Sequence, residues 1–311
     1  MLGGGGVLGE AWLRACLAGL EAETGWDLRE CDAFVGTSAG SIVAAVLAAG
    51  RRPAAARGAA ARRGEATSGD ERTEAVWEPS AAAATRDGDR PVALRRGLAT
   101  LGRVAGTAGA PLAPAVAAAT APGGAAVRAA LLRRGRRATR DIPQLREALA
   151  RMDATFDGRL RVSAVELATG KRVMFGAPGA PPAGVAEAVL ASCAVPWVFR
   201  PVTIGGREYV DGGFWSAANL DAAPAGRGDE VLCLVPTASP RLAVDRFGAL
   251  RALASAGAAA ESLVLRRRGA RVRIVAPDAA TVEAIGPDLF DARRRPPVEA
   301  AGYAQGRSLA I

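Results

Sequence analysis

Ser38 stands in Gly36-Thr37-Ser38-Ala39-Gly40, with a glycine two places to either side and only small residues between. Asp32-Ala33-Phe34-Val35 reads as a short buried strand before it, and Ser41 to Leu47 as an apolar helix after it. A hydroxyl on a sharp strand-to-helix turn is placed to attack a carbonyl carbon, and the helix N-terminus favours the negative charge that develops. The plainer alternative is a glycine-rich turn whose serine caps the helix. A serine nucleophile needs a proton acceptor, and the chain contains no histidine. The Ser-His-Asp triad and His-ligated zinc are therefore excluded. Asp211, in Asp211-Gly212-Gly213, is the candidate base, although the same three residues alone make an ordinary turn. An unperturbed aspartate, with a pKa of about 3.9, is a poor base near neutral pH, and burial would raise that value.

A third element is the glycine run Gly3 to Gly6, followed by Gly9. Gly4, Gly6 and Gly9 fit G-x-G-x-x-G, and Glu23 or Glu30 would serve as the ribose acid of a dinucleotide site. The other reading is an anion site of backbone N–H groups at a helix start, aimed at a tetrahedral intermediate. The serine motif lies only a short way further along, which favours the second. A flexible N-terminus is the plain alternative.

The elements that must position these residues follow from periodicity. Glu10 to Thr24 has apolar residues at helical spacing, with Gly25 as a stop. Residues 51–141 are dominated by Ala, Arg, Gly and Pro and read as an irregular helical, partly low-complexity insertion that covers the site as a cap. Leu160 to Val165 and Lys171 to Phe175 suggest a hairpin, as do Val202-Thr203-Ile204 and Glu208-Tyr209-Val210 around Gly205-Gly206. Val185 to Ala194 and Leu250 to Leu265 read as helices, and Val231 to Val235 and Val272 to Val275 as buried strands. Helices alternating with apolar strands argue an α/β sheet with helices on both faces.

A chain of 311 residues, half of them hydrophobic, can bury one large α/β core. The net charge of +9 is mostly arginine spread along the chain, with clusters at Arg133 to Arg137, Arg266 to Arg268 and Arg293 to Arg295. None is interleaved with aromatics, so nucleic acid is not indicated as a partner. These clusters read as solvated faces and helix ends, with anionic lipid headgroups the sharper alternative. Cys16, Cys31, Cys193 and Cys233 have no metal-ligand spacing and read as reduced, buried residues of a cytoplasmic protein. No signal-peptide pattern precedes Gly3. Residues 104–127 lack the Leu/Ile density of a spanning helix, leaving at most a transient membrane-surface contact.

The glycine loop, G-x-S-x-G and D-G-G in this order resemble the bacterial patatin-like phospholipases. Ala191-Ser192-Cys193-Ala194-Val195-Pro196, Phe199, Pro201, Ile204-Gly205-Gly206, Tyr209 to Gly213 and Val275 to Asp278 extend the likeness, which covers roughly residues 1–50 and 155–290. The resemblance implies a single domain with a three-layer α/β/α fold. Its central sheet would be mainly parallel, its core about 1–50 and 142–290, and its helical insertion would follow the nucleophile helix. It implies ester hydrolysis on a lipid or lipid-like substrate, with Ser38 as nucleophile and Asp211 as proton acceptor. Gly4, Gly5 and Gly6 would form the oxyanion hole, Gly9, Gly36, Gly40, Gly212 and Gly213 would support the motifs, and no metal or other cofactor is implied. A catalytically silent binding protein on the same fold is the rival. Trp197, Phe199, Phe214 and Trp215 are candidates for an acyl pocket or for plain core. Two features depart from the family pattern. Leu8 stands where many members carry a basic residue, and only Met1 and Leu2 precede a loop that should follow a core strand. Either that strand is nearly absent or translation starts upstream, and a missing strand would leave a sheet edge unpaired.

Overall fold

The computed structural model describes residues 1–53, 124–134, 138–238 and 248–309. Most of the expected insertion, and most of the 104–127 stretch, lies outside them. Helix α1 (Gly6–Thr24) ends where Gly25 takes a left-handed conformation. Strand β1 (Phe34–Gly36) leads into α2 (Ala39–Ala48). After α3 (Ala125–Arg134) and α4 (Pro143–Ala150) come β2 (Leu160–Glu166) and β3 (Arg172–Phe175). Helix α5 (Val185–Ser192) precedes the hairpin of β4 (Val202–Ile204) and β5 (Arg207–Asp211), whose turn is the Gly205-Gly206 pair. The chain closes with β6 (Glu230–Leu234), α6 (Gly248–Arg267), β7 (Arg271–Val275), α7 (Ala279–Ile285) and α8 (Arg295–Ser308).

The sheet has a parallel centre. Strand β1 pairs parallel with β2, and β6 parallel with β7. Met1 to Gly3 join the two pairs: Leu2 bridges Gly36 on one side and Leu234 on the other, both in parallel. The Leu2 N–H donates to the Val35 carbonyl (2.8 Å), Thr37 N–H to the Leu2 carbonyl (3.0 Å), and Gly3 N–H to the Leu234 carbonyl (2.8 Å). The expected open edge therefore does not occur. Two residues suffice because each uses both its backbone groups in the gap between β1 and β6.

Alternate strand residues face opposite layers, as the pleat requires. On β6, Val231 and Cys233 pack with Leu265 of α6, while Leu234 joins the main core with Leu13 and Leu17 of α1 and Val43 of α2. On β2 and β5, Val165 and Val210 pack with Leu132 of α3, whereas Ala164 and Tyr209 face the main core. This is a three-layer α/β/α fold. Helix α8 lies closely on α1, where Trp12 Nε1 donates to Gln305 Oε1 at 2.8 Å.

The arginine clusters end helices and hold loops. Arg266 and Arg267 occupy the last turn of α6, Arg294 Nη1 donates to the Glu283 and Ala284 carbonyls, and Arg295 pairs with Glu10 and Glu299. Cys16, Cys193 and Cys233 are buried as expected, but Cys31 is exposed, because it follows a short turn at the surface end of β1. Among the described residues no helix is long and apolar enough to cross a membrane.

Candidate active site

Two strand ends meet along one edge of β2. Val162 pairs with both Gly36 and Phe175, and Ala164 with both Asp211 and Val173. A strand residue has one neighbour on each side, so β3 occupies one edge and β1 and β5 share the other. Strand β1 runs parallel to β2 and β5 antiparallel, so their C-terminal ends approach head to head. Gly36 and Asp211 face β2 residues two apart, about 7 Å at a strand's rise. Ser38, just past Gly36, thus comes beside Asp211 although the two are far apart in sequence.

Ser38 adopts φ 51 and ψ −121, a conformation that costs a non-glycine residue on the order of 1–3 kcal/mol and persists only where the surroundings enforce it. The enforcement is visible. Gly40 N–H donates to the Thr37 carbonyl at 2.9 Å, and Ser41 Oγ to the Ser38 carbonyl at 2.6 Å. A Cβ on Gly40 would stand 2.1 Å from the Leu2 carbonyl oxygen, so only glycine lets the turn pass that strand. The Ser38 side chain makes no capping bond to α2, which removes the helix-cap reading. It is half-buried and directed to Asp211 instead.

Asp211 is 5% exposed, and burial pushes its carboxyl up from 3.8 to about 6. Hydrogen bonds from the Ser38 side chain and the Gly213 N–H (2.7 Å to Oδ1) pull the other way. The value sits near the range in which a carboxylate accepts a proton efficiently at neutral pH. Cys193, the nearby thiol, is no rival nucleophile: burial, then the Asp211 charge, push its pKa well up.

The glycine loop lies against the serine, for a Cβ on Gly4 would come 3.4 Å from Ser38 Cβ. Of the three expected donors, Gly4 already has a backbone partner. Its N–H donates to the Ala217 carbonyl at 2.9 Å and is spent on holding the loop. The N–H groups of Gly5, the N-cap of α1, and Gly6, its first residue, have no partner among the described residues. Both sit at the positive end of the helix dipole. Gly9 packs against Pro236, and Gly212 against Ser163.

Several residues at the site were not apparent from sequence. Ser192, at the end of α5, accepts the Ser38 N–H on its Oγ at 2.8 Å. Pro236 and Leu289 back the glycine loop, Leu289 through its carbonyl to Leu8 N–H at 3.0 Å. Ser163, Thr37 and Asn219 form a buried polar cluster under the Ser38–Asp211 contact. Ser192 lies inside the stretch that carries the family likeness, and Asn219 interrupts a small-residue run, but neither signal states a role. Trp197 and Phe214 meet edge to face at 5.6 Å, while Phe214 and Trp215 pack on the α3 cluster.

Ser192→Ala tests the support of the turn. A partly buried N–H loses its acceptor, at a cost of about 1 kcal/mol in stability. With the turn free to tilt, kcat for ester hydrolysis should fall about tenfold, a barrier rise of about 1.4 kcal/mol. Melting and steady-state kinetics on one preparation check both; an unchanged kcat would mean that the other turn bonds suffice.

A search of curated proteins finds no match to this chain. A model of the patatin-like phospholipase family matches residues 1–224, which include the glycine loop, the strained serine turn and the buried aspartate. With most of its length aligned to that model, and all three motifs meeting at one place in the fold, the chain belongs to the patatin-like phospholipase family.

Proposed function

We propose that this protein is a serine acyl hydrolase that cleaves carboxylic esters of lipids or lipid-like molecules through Ser38 and Asp211. The Asp211 carboxylate takes the Ser38 proton as Oγ bonds to the ester carbonyl carbon. The carbonyl oxygen becomes an oxyanion facing the Gly5 and Gly6 N–H groups. When the intermediate collapses, the ester C–O bond breaks, the leaving alcohol takes the proton from Asp211, and Ser38 keeps the acyl group. Water then attacks the acyl carbon, Asp211 takes a proton from that water and returns it to Ser38 Oγ, and the free acid departs. The single observation that carries this reading is a buried carboxylate, raised to about 6, set beside a serine held in a strained turn. The absence of histidine supports it, because the chain has no imidazole to take the serine proton. Gly4 takes a structural part, holding the loop through Ala217. A cytoplasmic setting with transient access to lipid surfaces belongs to the same proposal, supported by thiols that form no disulfide among the described residues.

A fluorophosphonate probe tests it directly. The expected result is one covalent adduct on the peptide containing Ser38, blocked by prior incubation with a p-nitrophenyl ester that the protein turns over. A protein that neither labels nor turns over any ester of a lipid panel is a silent binding member of the family, and the proposal fails.

A further inference from the structure

Asn219 follows the Asp211-Gly212-Gly213 stretch, fully buried and in a left-handed conformation with φ 51. Its Nδ2 faces four acceptors: the Ser216 carbonyl at 2.7 Å, Thr37 Oγ1 at 3.0 Å, Ser163 Oγ at 3.3 Å and the Gly212 carbonyl at 3.4 Å. Arg172 fixes which way the amide points. A guanidinium only donates, and Arg172 Nη1 donates to Asn219 Oδ1 at 3.2 Å, so Nδ2 must face the cluster. Arg172 is itself held by a two-pronged pair with Asp221, at 2.6 and 2.8 Å. Ser163 closes the group, its Oγ donating to Thr37 Oγ1 at 2.9 Å from the β2 position between the partners of Gly36 and Asp211.

An asparagine in a left-handed turn needs only a local bond, and the Ser216 carbonyl supplies one. The contacts to Thr37 and Gly212 go beyond that need. Thr37 precedes Ser38 and Gly212 follows Asp211, so one amide touches the immediate neighbour of each reacting residue. These neighbours lie just past the ends of separate strands that abut on one edge of β2; no backbone ladder bonds β1 to β5. Pairing with β2 sets the spacing of the two strand ends, and the amide acts on the residues just beyond them.

We propose that Asn219, oriented by Arg172, is a positioning residue that ties Thr37 to Gly212 and so holds the Ser38 hydroxyl within hydrogen-bond reach of the Asp211 carboxylate. This rests on the ester-hydrolase reading above. A misplacement of about 1 Å in such a contact costs about 10²-fold in rate, whereas ground-state binding of the ester, made elsewhere, is left alone.

Asn219→Gly is the informative variant. Glycine keeps the left-handed backbone without strain and removes only the amide. With p-nitrophenyl butyrate as probe, kcat should fall about 10- to 100-fold while KM stays within about twofold. The acid limb of the kcat/KM profile should also move to higher pH, because Asp211 loses the Ser38 hydrogen bond that holds its pKa down. Thr37→Val removes the hydroxyl at the other end of the tie. It should move the limb in the same direction, and it serves as the readout if Asn219→Gly does not fold. Variants that melt lower yet keep the parental kcat and an unmoved limb overturn the assignment and leave Asn219 a turn residue. Wild-type protein without Ser38-dependent hydrolysis defeats the hydrolase reading itself; active wild type with unaffected variants defeats only the role of Asn219.

Discussion

Asp211→Asn should yield a protein that folds, melts higher than its parent at neutral pH, and hydrolyses esters about 10³-fold more slowly, within the 10²–10⁴ span of general base catalysis. The lost rate follows from chemistry. An amide keeps the shape of the carboxyl and can still accept the Gly213 N–H, but it cannot take the Ser38 proton. Ser38→Ala should lose at least as much, and the double variant no more than the worse single one, because the pair acts as a unit. The gain in stability follows from burial. The folded-state pKa of Asp211 is raised to about 6 from 3.8, so the native protein holds that proton more tightly than the unfolded chain does. Protonation therefore stabilises the fold below about pH 4, and this stabilisation is lost as pH rises through about 6. Ionising the buried carboxylate costs on the order of 3 kcal/mol at neutral pH, because each tenfold change in proton affinity is worth about 1.4 kcal/mol. Asparagine escapes that cost. Melting curves of both proteins at pH 4.5 and 7.5 should show a gap in favour of the variant that opens at the higher pH. A variant that retains turnover, or a gap independent of pH, would sink the description of Asp211 as a buried charged base.

The second large effect is expected at Gly5. Its φ of −176 is open to any residue, so what excludes a side chain is space. A Cβ there would stand 2.5 Å from Pro236 Cβ and 2.9 Å from Gly9 Cα. In Gly5→Ala the loop must move off Pro236, carrying the Gly5 and Gly6 N–H groups away from the proposed oxyanion position. Loss of one such donor costs about 10²–10³ in kcat, so a fall of at least about 10²-fold is expected, with KM little changed. Pro236→Gly in the Gly5→Ala background removes the closest obstruction and should recover part of the rate. Stopped-flow release of p-nitrophenol reads the acylation step where the donors act. Full activity in Gly5→Ala would place the oxyanion at other donors, of which the Ala39 N–H beside the nucleophile is the nearest in sequence.

These expectations draw on two kinds of information. The local elements were legible because their causes are local. Helical spacing of Trp12, Leu13, Cys16, Leu17 and Leu20 set α1, Gly25 ended it, and Gly205-Gly206 turned β4 into β5. The three motifs and the lack of histidine point to a serine–aspartate pair from residue types alone.

The rest was not legible because it depends on which strands become neighbours. Residue order alone says nothing about β1 and β5 abutting on one edge of β2, yet that arrangement brings Asp211 to Ser38. The motif alone does not show that packing sets the Ala217 carbonyl against the Gly4 N–H. Met1 and Leu2 looked too short to be a strand, and two residues were enough once β1 and β6 stood on either side. Thus the sequence by itself determined the chemical groups available and the turns that display them, since those follow from side-chain type and short-range spacing. Only the tertiary structure decided the burial of Asp211, the partner of the Gly4 N–H and the contacts of Asn219, because burial and contact between distant segments arise from packing.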